Sequence, residues 1–439
     1  MRVVLISTYE LGRQPFGVAS AAAWLRARGH EVETIDTAVS LAPPQVLRAA
    51  EVVAFSLPMH TATRLAAGWI RKVREENADA RLIAFGLYAP LNAEYLRGLG
   101  VERVIGGEFE EALAEAVEGR GPAELVSLGR LPFLRPDRST LAALGKYAPL
   151  VVDGERRAAG STEASRGCKH LCRHCPVVPV YGGTFRIVPR EVVLADIEQQ
   201  VALGARHITF GDPDFLNGPG HAMAIAEAFH ERWPAATYDV TIKIEHLLKH
   251  RDLLGRLAET GCLLVTSAVE CVEDEVLRKL EKGHTRACFL EALALTRAAG
   301  LHLNPTFVPF TPWTTVSGYR ELLKTILEQE LVDAVAPVQL ALRLLIPAGS
   351  LLLELPEIDG LLDGFDAAGL LHRWRHPEPA VDALASQVFA IVGGREARGK
   401  SRRALFAEIW EAAHGAAPPE NYSLLPRAAV PYLDEPWYC

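Results

Sequence analysis

The sequence predicts an α/β protein with a doubly wound parallel sheet at the N-terminus, a partial (β/α)6 barrel in the middle and a mainly helical C-terminal segment. Two observations carry this prediction. Short β-branched runs alternate with longer helical patterns in two successive series along the 439 residues, and such alternation is typical of parallel sheets covered by helices. A loop with three closely spaced cysteines opens the second series, at the end of a barrel where chemistry is usually placed.

Residues 1–120 carry the first series. Gly29 and Gly100 follow helical patterns at positions where helix C-caps belong. The predicted strands are Val3–Ser7, Val32–Ile35, Val52–Ser56, Leu82–Phe85 and Arg103–Ile105. Their order predicts a flavodoxin-like or Rossmann-like domain whose binding sites lie at the carboxyl ends of the strands.

Three further segments follow. Residues 121–160 are rich in Pro, Gly and Arg and predict a linker. Residues 161–345 return to strand–helix alternation, and residues 346–439 predict a helical segment that ends in a Pro- and aromatic-rich tail. The predicted barrel strands are Glu163–Ser165, His207–Phe210, Tyr238–Ile244, Leu263–Ser267, Leu303–Val308 and Val338–Leu342.

Composition excludes several classes of protein. The formal net charge of −8 argues against a nonspecific nucleic-acid surface, so no nucleic-acid partner is expected. No apolar run of about 18 residues is present, so we expect no membrane partner, and the N-terminus shows no signal pattern. The seven cysteines are an odd number, which favours a reducing, cytoplasmic location and a metal site over a disulfide framework.

The strongest chemical signal is the Cys-x3-Cys-x2-Cys motif of Cys168, Cys172 and Cys175. Three thiolates at this spacing can hold one face of an iron–sulfur cubane and leave its fourth iron open for chemistry. A zinc site is the alternative, with His170 or His174 as fourth ligand. The position of the motif, between a short strand and a helix, favours iron–sulfur. The isolated cysteines are predicted core residues: Cys262, Cys271 and Cys288.

The segment SRGCKHLCRHC resembles the signature of the radical S-adenosylmethionine (SAM) superfamily, and the resemblance spans residues 161–345. His174 stands where the family usually has an aromatic residue and is predicted to lie beside the cofactor. The resemblance implies a partial barrel and a [4Fe–4S] cluster whose open iron chelates SAM. It also implies a small-molecule substrate and an electron donor, either a reductase or a flavodoxin or ferredoxin.

The same resemblance implies which residues meet SAM. After the second strand, Gly211 would allow close approach of the backbone, and Asp212 or Asp214 would accept a hydrogen bond from the SAM ammonium group. The alternative for this segment is an ordinary turn followed by a helix cap. The remaining predicted ligand contacts, each with a structural role as the alternative, are Glu245 after the third strand and Ser267 and Glu270 at the fourth.

The N-terminal domain resembles the cobalamin (B12)-binding domain of cobalamin-dependent radical SAM proteins. The DxHxxG motif that supplies a cobalt ligand in some B12 proteins is absent from the end of the first strand. Cobalamin binding therefore stays open beside the alternative of a cofactor-free domain that shapes the active site. The candidate lining residues at the strand ends are Ser56, Met59, Gly86, Tyr88 and Gly106.

The sequence ends in Glu435-Pro-Trp-Tyr-Cys439. This resembles the tail of CUAEP and CCAEP radical SAM proteins, although only the first residue of that motif is present. One hypothesis is that the next codon, UGA, encodes selenocysteine; an ordinary C-terminus is the alternative, and the gene sequence beyond codon 439 decides between them. Cys439 is predicted to be catalytic.

The resemblance predicts a transferase that moves a methyl or 3-amino-3-carboxypropyl group from SAM to a small molecule, with an arsenic compound as one candidate acceptor. A cobalamin-independent radical rearrangement or oxidation enzyme is one alternative. A non-catalytic zinc or iron–sulfur binding module is the other.

Overall fold

The structure, a computed structural model, describes residues 1–394, 397, 399–419 and 430–435. The predicted α/β fold is confirmed, because a six-stranded and a five-stranded parallel sheet follow one another along the chain. Within the described residues, no helix is both long and apolar enough to cross a membrane.

The N-terminal sheet has the strand order β2-β1-β3-β4-β5-β6. Its strands are β1 (Arg2–Ser7), β2 (Glu31–Asp36), β3 (Val52–Ser56), β4 (Arg81–Phe85), β5 (Arg103–Gly107) and β6 (Glu124–Ser127). The helices on its two faces are α1 (Phe16–Ala27), α2 (Pro44–Ala49), α3 (His60–Glu76), α4 (Ala93–Gly98) and α5 (Glu110–Val117). The central strands read as apolar runs because both faces of the sheet are covered. The five predicted strands are present, and β6 adds an edge strand inside the predicted linker.

The second sheet is the wall of the partial barrel, in the order β15-β14-β13-β12-β9. Its strands are β9 (Ala159–Thr162), β12 (His207–Phe210), β13 (Thr237–Thr241), β14 (Cys262–Glu270) and β15 (His302–Phe307). The helices that cover it are α7 (Arg190–Ala202), α8 (Pro219–Arg232), α9 (Ile244–Lys249), α10 (Leu254–Glu259), α11 (Asp274–Lys279), α12 (Arg286–Ala298) and α13 (Val316–Glu328).

The prediction of a sixth barrel strand over Val338–Leu342 is wrong. Residues Pro337–Leu340 form a 3-10 helix instead, and a single parallel bridge between Phe310 and Arg343 continues the sheet. Pro337 lacks the backbone N–H that a strand would use, and Tyr319 donates a hydrogen bond to the carbonyl of Leu340. The first barrel strand lies at β9, before the predicted position Glu163–Ser165.

The remaining elements surround the barrel. They are β7 (Leu150–Val152), β8 (Glu155–Arg157), β10 (Ser165–Gly167), α6 (Val178–Tyr181), β11 (Phe185–Ile187), α14 (Pro356–Asp359), β16 (Leu362–Asp366), β17 (Leu371–Trp374), α15 (Pro379–Gly393), α16 (Arg402–His414) and β18 (Tyr432–Leu433). The C-terminal segment is therefore helical with an added hairpin, β16–β17. Its last described residues return to the linker, because β18 pairs with β7 in a three-stranded sheet with β8.

The loop between β1 and α1 (residues 8–15) packs against the first barrel strand. The Ser161 hydroxyl donates to the Gln14 carbonyl at 2.8 Å, and Arg138 donates to the Gln14 side-chain oxygen at 2.7 Å. Arg138 in turn forms a bidentate pair with Asp196 of α7 at 2.8 and 2.9 Å, and both side chains are buried. The two sheets are thus joined by hydrogen bonds as well as by the linker.

Candidate metal centre and adjoining cavity

The three motif cysteines lie in one loop, between β10 and α6 (the Cys loop, residues 168–177). Cys168 and Cys172 are buried, Cys175 is half-buried, and all three are free thiols. The Cys175 amide donates to the Cys172 carbonyl at 3.1 Å, which folds the loop back on itself. Cys168 and Cys175 pack in one cluster with α6. Beyond these, the described chain places Cys262, Cys271 and Cys288 in or against other hydrophobic clusters, as expected for core residues.

Gly167 fixes how the chain enters the Cys loop. Its φ is +72°, in the left-handed region that side-chain-bearing residues rarely adopt. A Cβ at this position would lie 2.4 Å from the Thr184 carbonyl oxygen and 2.5 Å from the Tyr181 ring. The close approach of β10 to β11 therefore requires glycine directly before the first cysteine.

The thiols lie in an environment that favours bound metal. Burial raises the pKa of Cys168, and it raises the pKa of Cys175 to about 12, an effect that the Lys282 ammonium opposes. The Lys243 ammonium lies 3.7 Å from the Cys172 sulfur. Buried thiols with raised pKa values become thiolates when a cation binds them, and the two lysines offset the negative charge of such a centre. Three thiolate ligands, with two ammonium groups nearby that offset their negative charge, fit a [4Fe–4S] cluster with an open iron.

Glu270 joins the Cys loop to the end of β14. Its backbone has a φ of +69°, and the register of β14 and β15 shifts between Ala268 and Glu270. The turned carboxylate accepts from Lys282 at 3.2 Å and from His174 at 3.1 Å. Although burial raises the pKa of Glu270, the Lys282 ammonium and the His174 contact lower it to about 2. Two of the predicted cofactor-binding residues, His174 and Glu270, thus lie together with Lys282 in one group of interacting side chains beside the cysteines.

Asp212 and Gly211 lie at the end of β12, beneath the start of the Cys loop. Asp212 accepts from the Ala164 amide at 2.9 Å and from the Ser165 hydroxyl at 2.5 Å, and burial raises the pKa of its carboxyl to about 7. Both carboxylate oxygens therefore hold β10 in place. A Cβ on Gly211 would make only ordinary contacts at 3.5 Å, so packing alone does not demand glycine there.

Asp214 and Glu245 face imidazole rings. Asp214 is fully buried; its Oδ1 accepts from the Leu216 amide, and its Oδ2 lies 2.7 Å from His246 Nδ1. Glu245 lies 3.5 Å from His170 Nδ1 and 3.4 Å from the Lys243 ammonium. Ser267 is buried, and its hydroxyl has no hydrogen-bond partner in the described part of the chain. Ser267 is accordingly available to a ligand, whereas Asp214 and Glu245 belong to a histidine cluster.

A cavity of about 270 Å³ lies where the strand ends of both sheets meet. The predicted residues Ser56, Met59, Gly86 and Gly211 line it. Tyr88 is buried beside Cys175, and Gly106 packs against Pro90. A larger cleft of about 820 Å³ lies elsewhere, between the linker and α7. Three of the five candidate cobalamin-lining residues, Ser56, Met59 and Gly86, thus line this interdomain cavity.

Arg166 extends from β10 to the N-terminal domain, and no sequence pattern indicated its partners. Its guanidinium donates to Glu110 at 2.6 and 3.0 Å, to Glu163 at 2.8 Å and to Glu108 at 3.5 Å. Burial raises the pKa of Glu108 and of Glu163, and the arginine opposes the rise. Glu108 also accepts from the Tyr181 hydroxyl at 3.1 Å. One buried cation thus holds three carboxylates at the domain boundary.

Comparisons with known proteins agree with this geometry. Residues 162–322 match the family model of the radical SAM superfamily. The chain is similar to the hopanoid C-3 methylase of Methylococcus capsulatus, at 24% identity over 168 residues, which is 38% of this chain and 32% of that protein. It is also similar to the bacteriochlorophyllide d C-12(1)-methyltransferase of Chlorobaculum tepidum, at 26% identity over 136 residues, which is 30% of this chain and 28% of that protein. The matches thus span about a third of each relative.

Two solved structures share the fold. The cobalamin-dependent SAM radical enzyme OxsB, with aqua-cobalamin bound, has a TM-score of 0.69 at 15% identity over 90% of this chain and 67% of that one. The radical SAM methyltransferase TsrM from Kitasatospora setae, with cobalamin and a [4Fe–4S] cluster, has a TM-score of 0.57 at 18% identity over 75% of this chain and 73% of that one. The segment that contains the Cys loop is therefore a radical SAM domain, set in the fold of cobalamin-dependent radical SAM enzymes.

Proposed function

We propose that this chain is a radical SAM transferase that moves a SAM-derived methyl group to a small molecule. The observation that carries the proposal is that three free cysteines lie beside two lysine ammonium groups, in a loop whose flanking residues Gly167 and Val177 line the interdomain cavity. The methylase names of the relatives support methyl as the transferred group. A 3-amino-3-carboxypropyl group as the transferred group stays a prediction from the family resemblance, and an arsenic compound as acceptor stays a prediction from the C-terminal sequence.

In this proposal Cys168, Cys172 and Cys175 hold a [4Fe–4S] cluster, which supplies the electron that cleaves SAM when both are bound. An external reductase, flavodoxin or ferredoxin would reduce the cluster. Ser267 offers a free hydroxyl toward the ligand. Lys243 and Lys282 offset negative charge at the cysteines, and Glu270 keeps Lys282 in place at 3.2 Å. Asp212 acts on the position of the Cys loop rather than on SAM.

Cobalamin in the N-terminal domain is a second part of the proposal. The cavity lining that would face it carries small residues, among them Gly17 of α1 and Ser56 and Gly86 at strand ends. The proposal concerns cobalamin binding alone, and we derive no chemical step through the corrinoid. Gel filtration after incubation with hydroxocobalamin tests the binding: corrinoid absorbance in the protein peak supports it, and its absence contradicts it.

Cys439 lies outside the described residues, and its catalytic role is proposed from the path of the chain before it. Glu435, the last described residue of the tail, is half-buried; desolvation and then Asp239 raise the pKa of its carboxyl to about 7, while Arg13 opposes the rise. Arg13 lines the interdomain cavity. Four further residues follow, and at about 3.5 Å each they extend at most about 14 Å. A Cys439→Ser variant should retain SAM cleavage and lose product; unchanged product would contradict the role.

Anaerobic reconstitution with iron and sulfide, followed by reduction with SAM and chromatography, tests the central claim. S-adenosylhomocysteine indicates methyl transfer, and methylthioadenosine indicates transfer of the aminocarboxypropyl group instead. If 5′-deoxyadenosine is the sole SAM product, a radical rearrangement or oxidation replaces the transferase. A fully loaded cluster that yields none of these overturns the proposal.

A matched pair of variants ties the chemistry to the Cys loop. Cys172→Ser should lose the cluster absorbance and all SAM products, because it removes one of three thiolate ligands. Cys288→Ser, in α12 and outside the loop, should retain both. Equal loss in the two variants would point to general unfolding rather than to a lost ligand.

A further inference from the structure

Three side chains outside the cysteine motif converge beside the Cys loop. His170 lies between Cys168 and Cys172, Asp214 follows β12, and His246 lies on α9 after β13. One ligand atom from each lies within 4.8 Å of the others. His170 Nε2 is 3.3 Å from His246 Nε2 and 3.7 Å from Asp214 Oδ2. Residues from three separate segments thus present two imidazoles and one carboxylate to a common point.

These separations match those of ligands on one small cation. Imidazole nitrogens and carboxylate oxygens bind Zn²⁺ at about 2.0–2.2 Å, so two ligands at a tetrahedral angle lie about 3.3–3.6 Å apart. The separations of 3.3 and 3.7 Å lie at or close to that value, and His246 would use Nε2 as its ligand atom because its Nδ1 lies 2.7 Å from Asp214 Oδ2. Two histidines and one carboxylate also form the ligand set that holds Fe²⁺ in non-haem iron proteins.

A second observation is the lack of hydrogen-bond partners in this buried cluster. The Asp214 and His246 side chains are 0% and 1% exposed, and neither Asp214 Oδ2 nor His246 Nδ1 has a hydrogen-bond partner among the described residues. The two atoms lie 2.7 Å apart without hydrogen-bonding alignment. Buried polar atoms are normally paired, and an unfilled ion site is one reason for an exception.

Charge and access are consistent with a cation. Glu245 lies 3.5 Å from His170 Nδ1, the ring nitrogen opposite the converging one, where a carboxylate orients a metal-bound histidine. Glu245 is 42% exposed and His170 is 15% exposed, so an ion and its waters can reach the cluster from that side. The Lys243 ammonium pairs with Glu245 at 3.4 Å and is not among the converging atoms.

We propose that His170, Asp214 and His246 bind a single divalent transition-metal ion, Zn²⁺ or Fe²⁺, separate from the cluster of the three cysteines. The fourth position is open to water or to a substrate atom. This assignment gives Asp214 to the metal rather than to SAM. The rival arrangement needs no ion: the two imidazoles share an N–H···N hydrogen bond at 3.3 Å through their Nε2 atoms, and His246 Nδ1 forms an ion pair with Asp214 Oδ2 at 2.7 Å.

The test counts metal in the full chain with its cluster rebuilt anaerobically. The protein is dialysed against Zn²⁺ or Fe²⁺ of set concentration, and iron, zinc and sulfide per chain are measured by mass spectrometry and sulfide assay. We expect one ion beyond the irons that the sulfide content accounts for. The His246→Ala and Asp214→Asn variants should bind this ion at least about tenfold more weakly, with sulfide content unchanged. His250→Ala, four residues away and outside the converging set, should bind it as the parent protein does.

Other outcomes overturn the proposal. A fully loaded protein that takes up no extra ion contradicts it, as does a His246→Ala variant with unchanged affinity. If Cys172→Ser loses the extra ion while His246→Ala keeps it, the ion belongs to the Cys loop. The readout does not involve SAM turnover, so an extra ion in a catalytically inactive protein would uphold this site and reject the proposed function. The Zn²⁺ and Fe²⁺ dialyses distinguish the two metals by affinity.

Discussion

Replacement of Arg166 by methionine tests the charge network between the domains most directly. The change keeps an unbranched side chain and removes the cation that pairs with Glu108, Glu110 and Glu163. The Arg166 side chain is 7% exposed, and the side chains of Glu108 and Glu110 are 0% exposed. Removing one partner of a buried ion pair destabilises a protein by about 3–5 kcal/mol, because the remaining charge is left unpaired.

The protonation state of the three carboxylates determines how much folding stability is lost within the range of about 3–5 kcal/mol. Burial already raises the pKa of Glu108 and Glu163, and both rise further without the arginine. A carboxyl whose pKa is higher in the folded than in the unfolded protein is most favourable below its unfolded pKa, and that stability is lost as the pH rises through the folded value. We therefore expect the loss to lie near 3 kcal/mol at neutral pH and to be smaller at pH 5 than at pH 8.

Urea denaturation followed by circular dichroism measures the effect. With a slope of about 1–3 kcal/mol per molar urea, the first unfolding midpoint of Arg166→Met should fall by about 1 M or more. Arg190→Met is the matched control, because its pair with Glu191 is half-exposed or more on both sides and contributes at most about 1 kcal/mol. Adding Glu110→Gln to Arg166→Met should recover part of the loss. Equal midpoints for Arg166→Met and Arg190→Met would refute the reasoning.

Two further predictions concern single positions near the site. Gly167→Ala should destabilise the protein by about 2 kcal/mol or more, because the left-handed conformation alone costs about 1–2 kcal/mol and the new Cβ would clash with the Thr184 carbonyl. Urea midpoints and iron content measure the effect. Gly68→Ala is the control and should be neutral or slightly stabilising, because its new Cβ meets no atom within 4 Å. Burial, Glu163 and Asp36 raise the pKa of Glu10 to about 8, so folding stability should fall between about pH 4.5 and 8. Glu10→Gln should reduce that fall, and thermal unfolding at pH 5 and pH 8 would contradict the prediction if both proteins showed the same pH dependence.

Sequence patterns predicted the elements that depend on local signals. Strand β12 has its predicted bounds, His207–Phe210, because a short β-branched and aromatic run lies between two clear helices. Strand β6 was missed because its side chains alternate between exposed and half-buried and offer no apolar run. The hairpin β16–β17 was missed for the same reason, since most of its residues are exposed or half-buried.

Some residues of the candidate site could likewise be identified from local sequence signals, and others could not. The three cysteines lie within eight positions, so their spacing alone identified them. Three charged residues contact the Cys loop or the domain boundary from distant segments: Lys243, Lys282 and Arg166. Nothing in the local sequence around them indicates a partner 50 to 110 residues away. The convergence of His170 with His246 depends on the carboxyl ends of parallel strands meeting at one edge. A topology, rather than a motif, would have been needed to find it.

The β1–α1 loop has a consequence for how such enzymes diversify. Gln14 of the β1–α1 loop contacts both the first barrel strand and Arg138 of the linker, so a residue of the N-terminal domain packs against the side of the barrel. Recombination at the linker would replace the β1–α1 loop but keep the residues that it contacts. The Arg138–Asp196 pair would then lie beside a β1–α1 loop from another protein. Chimaeras between relatives should therefore be cut so that residues 8–15, 138 and 161 come from the same parent.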